Sequence, residues 1–119
     1  LVAIWSISLV RQQAAKPVFY LGNTEIDLNS ATVITKNGRW TLTAKEFSLL
    51  EKLYGNRGNI VTGDSLCRAA WGEDLYGYEN TLMVHIRRLR EKIEPEPSRP
   101  RYLLTVRGLG YKLTRQDGI

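Results

Sequence analysis

Residues 79–113 read ENTLMVHIRRLREKIEPEPSRPRYLLTVRGLGYKL, and this stretch decides the architecture. Leu82, Ile86, Leu89 and Ile93 recur at spacings of four, three and four, the period of one helical face, so they share a stripe that must meet a core. Val84, Arg87, Arg88 and Glu91 then point away from that core. Thr81, or Asn80 just before it, can cap the first orphan amides, which leaves the positive end of the helix dipole open to a phosphate. Glu94-Pro95-Glu96-Pro97-Ser98-Arg99-Pro100 cannot continue the helix, because proline lacks the amide hydrogen and expels the preceding residue from helical geometry. Beyond this elbow Tyr102, Leu104 and Val106 alternate with Leu103, Thr105 and Arg107. Gly108-Leu109-Gly110 then permits a tight reversal into Tyr111-Lys112-Leu113, with Arg107 at the tip. A helix with one buried stripe and two outward arginines, followed by an arginine-tipped hairpin, has the dimensions of a DNA reader, the helix for the major groove and the hairpin for the minor.

Upstream of this stretch the pattern is first that of short strands. Val18-Phe19-Tyr20-Leu21, Glu25-Ile26-Asp27-Leu28, Ala31-Thr32-Val33-Ile34-Thr35 and Arg39-Trp40-Thr41-Leu42 are separated by the turn signals Gly22-Asn23, Asn29-Ser30 and Asn37-Gly38. They predict a four-stranded antiparallel sheet whose role is a scaffold against helices. Thr43-Ala44-Lys45-Glu46 is a capping box, so a helix should start at Ala44, with Phe47, Leu49, Leu50, Leu53 and Tyr54 as its buried face. Gly55-Asn56-Arg57-Gly58 ends it, Asn59-Ile60-Val61 is a connector or small strand, and Thr62 caps a second helix that Trp71-Gly72 closes. The expected fold is α+β: a winged helix-turn-helix with an N-terminal four-stranded sheet, three helices and a C-terminal hairpin wing.

A chain of 119 residues suits one domain with its own core. The single Cys67, beside Leu66, Ala69 and Ala70, excludes an internal disulfide and reads as a packed apolar side chain in a reducing compartment. A net charge of +5 favours acidic partners, and its distribution is uneven: +2 over residues 1–43, −1 over 44–78 and +4 over 79–119. The opening run Leu1–Val10 is apolar but too short to span a bilayer. With Arg11–Pro17 it is expected to be a linker or the remnant of an upstream domain, followed by the DNA-binding domain over 18–115 and a tail over 116–119. No nucleophile with its base, paired carboxylates, phosphate-binding glycine loop or metal cluster is visible, so no catalytic residue, metal or cofactor is assigned. Gly108-Leu109-Gly110 lacks the third glycine and the following helix of a dinucleotide site.

Several motifs in the same order carry a resemblance. Glu46-Phe47 with Leu49-Leu50, Trp71-Gly72, Asn80-Thr81, Val84-His85-Ile86-Arg87-Arg88-Leu89-Arg90 and Thr105-Val106-Arg107-Gly108-Leu109-Gly110-Tyr111 together resemble the OmpR/PhoB-type output domain of bacterial two-component response regulators, over roughly Val18 to Leu113. The resemblance implies a cytoplasmic, sequence-specific transcription regulator whose receiver is phosphorylated by a sensor histidine kinase. It also implies a homodimer formed through the receivers or on DNA, direct-repeat half-sites in double-stranded DNA, and contact with RNA polymerase. The first ten residues resemble the end of a receiver's last helix. Met83 and Ala44 depart from the family pattern, which often has an acidic residue and a proline there.

For base reading, Arg88 can donate twice to guanine and Val84 can meet a thymine methyl, as the matching family positions do; the other reading of Arg88 is a phosphate contact. Arg107 would enter the minor groove, or else remain a solvated hairpin tip. Arg87 and Arg90 flank the outward face and fit phosphates. His85 is either packed and hydrogen-bonded or, as the resemblance implies, a phosphate contact. Asn80 and Thr81 offer side-chain and amide donors to a phosphate, or else only cap the helix. Trp71, Thr105 and Tyr111 resemble family positions that touch the DNA backbone, with core packing as the other task of Trp71. The loop Glu73-Asp74-Leu75-Tyr76-Gly77-Tyr78 resembles the polymerase-contacting segment. A winged helix that grips an acidic protein instead of DNA is the competing function.

Overall fold

In the computed structural model, residues 16–72 and 79–114 are described; the opening run, the loop Glu73–Tyr78 and the C-terminal tail lie outside them. Strands β1 (Val18–Leu21), β2 (Thr24–Asp27), β3 (Thr32–Thr35) and β4 (Gly38–Thr41) form an antiparallel sheet in sequence order. Helix α1 (Ala44–Gly55), the two-residue β5 (Ile60–Val61), α2 (Gly63–Trp71) and α3 (Glu79–Ile93) follow. The hairpin β6 (Leu103–Val106) and β7 (Gly110–Leu113) pairs back on β5 in the order β5-β7-β6. The winged helix-turn-helix expected from the pattern is therefore present.

Alternation places Phe19, Ile26 and Val33 opposite one another on the inner face of the sheet, where all three are buried. Trp40 continues this row on the edge strand and stays partly in water. Two local expectations change here. The β3–β4 loop is Lys36-Asn37, not Asn37-Gly38, since Thr35 pairs with Gly38. Gly38 opens β4 at φ 145°, and a Cβ there would sit 2.7 Å from the Trp40 ring, so this glycine serves a close aromatic approach rather than the turn itself. Ala31, expected to begin β3, instead turns at φ 54° and its carbonyl accepts from the Leu42 amide at 2.7 Å, so the strand begins at Thr32.

The N-caps predicted at Thr43 and Thr62 are formed, each hydroxyl accepting at 3.2 Å, from the Glu46 amide and the Ser65 amide respectively. Leu49, Leu50 and Leu53 from α1 and Leu66, Cys67 and Ala70 from α2 pack with the full α3 stripe, Leu82, Ile86, Leu89 and Ile93, in one core. Phe47 and Tyr54 lie at its margin, Tyr54 stacked on Phe19 with ring centroids 3.9 Å apart. Gly110 holds β7 close to β5: at φ 150°, a Cβ would lie 2.2 Å from the Val61 carbonyl oxygen.

The helix assembly is also locked by a charge. Glu46 completes the capping box by accepting from the Thr43 amide at 2.9 Å, yet it is only 1% exposed and accepts from Lys92 of α3 as well. Lys92 donates again to the Thr41 carbonyl at 3.0 Å, so one ammonium ties α3 to both α1 and the end of β4. Burial pushes the Glu46 carboxyl up, but the hydrogen bonds from Lys92 and Thr43 and the Lys92 charge outweigh it and hold the group below its ordinary value. A depressed carboxyl stabilises the fold above its unfolded pKa and loses that contribution as pH falls through the folded value. Glu46→Gln should therefore lower stability by about 2 kcal/mol at neutral pH. Below about pH 4 the difference from the parent should shrink; denaturant titrations at the two pH values measure both.

Candidate nucleic-acid interface

With the α3 stripe inward, the opposite face is set by the helical period. Val84 is 44% exposed, and Arg87, Arg88 and Glu91 are exposed beside it, as the spacing predicts. Arg87 and Arg88 have no protein partner among the described residues, which leaves their guanidinium donors available. Met83, 59% exposed, adds an apolar side chain to this surface. The helix begins at Glu79, so Asn80 and Thr81 lie in its first turn rather than capping it, and both remain exposed.

His85 is held on two sides. Its Nδ1 lies 2.8 Å from the Thr81 carbonyl, which can only accept, so Nδ1 carries a hydrogen. The ring also meets Trp71 edge-on, with centroids 5.1 Å apart. Nε2 can then donate to a phosphate only in the doubly protonated ring. Trp71 is half-buried against the core, and Lys45, which the sequence reading missed, donates to the Ala70 carbonyl at 2.7 Å with its ammonium 5.7 Å from the indole centroid.

The wing reverses at Val106–Gly110, where the Leu109 amide donates to the Val106 carbonyl at 2.9 Å and Gly108 takes φ 78°. Arg107 stands exposed at this tip with no protein partner among the described residues. Thr105 is exposed on β6, and Tyr111 sits opposite it on β7, half-buried against the core. Between wing and helix lies a hollow of about 300 Å³ lined by Met83, Thr105, Val106, Leu109 and Tyr111 among others.

Arg90 departs from its expected place on the outer flank. Its Nε donates to the Leu103 carbonyl at 2.9 Å and its Nη2 to the Thr105 hydroxyl at 2.8 Å, with the guanidinium 6.0 Å from the Tyr111 ring centroid. Burial draws its pKa down while Tyr111 and Glu94 pull it up. Glu94, one turn later and only 6% exposed, accepts from the amides of Arg101 at 2.7 Å, Tyr102 at 2.9 Å and Leu103 at 2.8 Å. The sequence showed Glu94 only as the start of the proline elbow. Its signal is the fourfold spacing from Arg90, which places both side chains on the wing side of α3. No groups of His, Cys, Asp or Glu suited to a metal occur among the described residues.

A family model described as "Transcriptional regulatory protein, C terminal" matches residues 37–113. The chain belongs to that family. The sensory transduction protein RegX3 of Mycobacterium tuberculosis is 46% identical over 92 residues, 77% of this chain and 40% of that protein. The alkaline phosphatase synthesis transcriptional regulatory protein SphR of Synechococcus elongatus is 48% identical over 81 residues, 68% of this chain and 32% of SphR. The chain thus spans less than half the length of these relatives. Among solved structures, the Klebsiella pneumoniae RstA DNA-binding domain in complex with the RstA box superposes with a TM-score of 0.69 at 26% identity, covering 83% of this chain and 98% of that one. The Thermotoga maritima response regulator DrrB, an OmpR/PhoB homologue, gives 0.72 at 31% identity, covering 96% of this chain and 52% of DrrB.

The family's wing is held here by the Glu94 carboxylate, so truncating it should leave three amides without their acceptor. Glu94→Ala should cost about 2–3 kcal/mol in chemical denaturation, and Glu94→Gln, which keeps one acceptor oxygen, about half as much.

Proposed function

We propose that this chain is the DNA-binding output domain of a two-component response regulator and reads double-stranded DNA in a sequence-specific way. The observation that carries the reading is the exposed set Val84, Arg87 and Arg88 on α3 with Arg107 at the wing tip, the arginines without a partner among the described residues, on a family fold whose RstA relative is a DNA-binding domain in complex with its box. In this reading α3 enters the major groove. Arg88 donates to guanine O6 and N7, and Val84 meets a thymine methyl. Arg107 reaches into the minor groove, where narrow A·T segments concentrate negative potential. The strand between the two grooves crosses the hollow between α3 and wing.

Arg87, Asn80, Thr81, Trp71, His85, Thr105 and Tyr111 contact phosphates and set register. The Thr105 hydroxyl accepts from Arg90, so its own hydrogen is left to donate outward. Glu73–Tyr78 is assigned to RNA polymerase. A receiver domain phosphorylated by a sensor histidine kinase would pair two output domains on direct repeats about one helical turn apart. The protein acts in the cytoplasm, as a regulator rather than an enzyme. No helix among the described residues is long and apolar enough to cross a membrane.

Selection of duplexes from a random pool by the parent domain should enrich a short motif, and Arg88→Ala should lose about 1–3 kcal/mol and relax one guanine position. Arg87→Ala should instead weaken all sequences alike and reduce the log–log salt slope by about 0.9. A parent domain that enriches nothing and shows no salt-dependent duplex binding would favour the protein-interaction reading.

A further inference from the structure

Strand β6 is one of the two edges of the three-stranded sheet, paired with β7 on one side only. An edge residue whose amide and carbonyl both face outward must find partners away from the ladder. Leu103 is such a residue, and α3 with the residue that follows it supplies both: Glu94 accepts from its amide and Arg90 donates to its carbonyl. Two side chains one helical turn apart therefore stand where a neighbouring strand would be. The second arm of the Arg90 fork, to Thr105, extends this contact two residues further toward the tip.

We infer that Arg90 is a positioning residue that fixes the wing against α3, and so sets the separation at which Arg88 and Arg107 enter adjacent grooves. This rests on the DNA-binding reading and gives Arg90 a task other than the phosphate contact expected from the sequence. The planar fork matters more than the charge, because one rigid group must reach a carbonyl and a hydroxyl on alternate residues of a strand. Lysine keeps the charge that a phosphate would feel but lacks the fork.

The test compares the parent chain, Arg90→Lys, Arg107→Ala and the double variant on two selected duplexes that differ only in whether the wing's minor-groove segment is A·T or G·C. Arg90→Lys should weaken the A·T duplex about tenfold and erase the preference between the two. The double variant should be no weaker than the weaker single, because both changes remove the same wing contact. The salt slope should change by well under the roughly 0.9 expected for one lost phosphate. Equal weakening of both duplexes, additivity with Arg107→Ala, or parent-like binding by Arg90→Lys would each overturn the inference.

Hydrogen exchange in the absence of DNA supplies a separate reading. The Arg90 Nε–H, which donates to the Leu103 carbonyl, should exchange about tenfold more slowly than the Nε–H groups of Arg87 and Arg88. Equal exchange at the three would overturn the tie whatever the DNA result. A parent chain that binds neither duplex would defeat the DNA-binding reading, and with it the use assigned to the tie, even where the exchange data show the tie itself.

Discussion

Four side chains on one face of α3, Leu82, Ile86, Leu89 and Ile93, must leave water together, and the rest of the molecule is built around the surface that receives them. Each gains about 1.5–3 kcal/mol from full burial relative to an exposed state, an upper figure because an unfolded chain already shields part of its apolar area. That term sets how α3 is rotated, and rotation alone puts Val84, Arg87 and Arg88 on the outside. Apolar packing is poorly directional, so it fixes the position along the helix axis less firmly. The ion pair between buried Glu46 and half-buried Lys92 supplies the missing direction, because a satisfied buried carboxylate tolerates little displacement. The capping glutamate of α1 thereby registers the reading helix as well as starting its own.

The wing poses a different problem. A two-stranded hairpin is marginal alone, and this one gains a third, two-residue strand on one side while leaving β6 open on the other. Arg90 and Glu94 cover the opening from α3, and Glu94 also gathers the amides that the proline elbow leaves without partners. The same i, i+4 spacing that builds the helix thus carries the wing. Gly110 contributes from the opposite side, since any side chain there would push β7 from β5. Arg90, Lys92 and Glu94 are thus engaged in joining the elements, while Arg87, Arg88 and Arg107 stay exposed and make no bond to another described residue.

The amino-acid sequence by itself determined the element order, the two N-caps formed by Thr43 and Thr62, the inward stripe of α3 and the exposed place of Val84, Arg87, Arg88 and Arg107. These features are local or periodic: a cap spans three residues and a helical face repeats every three or four, so a single pattern contains them. Asn37-Gly38 and Asn80-Thr81 misled at the level of one or two residues, because residue type favours a turn or cap without excluding its neighbour. Tertiary structure alone decided that Glu46 is shared between α1 and α3, that Arg90 turns into β6 instead of outward, and that Glu94 holds three amides. Those outcomes pair groups up to 46 residues apart. Composition and spacing show that a charge is present, but only the packed chain determines which buried donor or acceptor has no nearer partner and must take it.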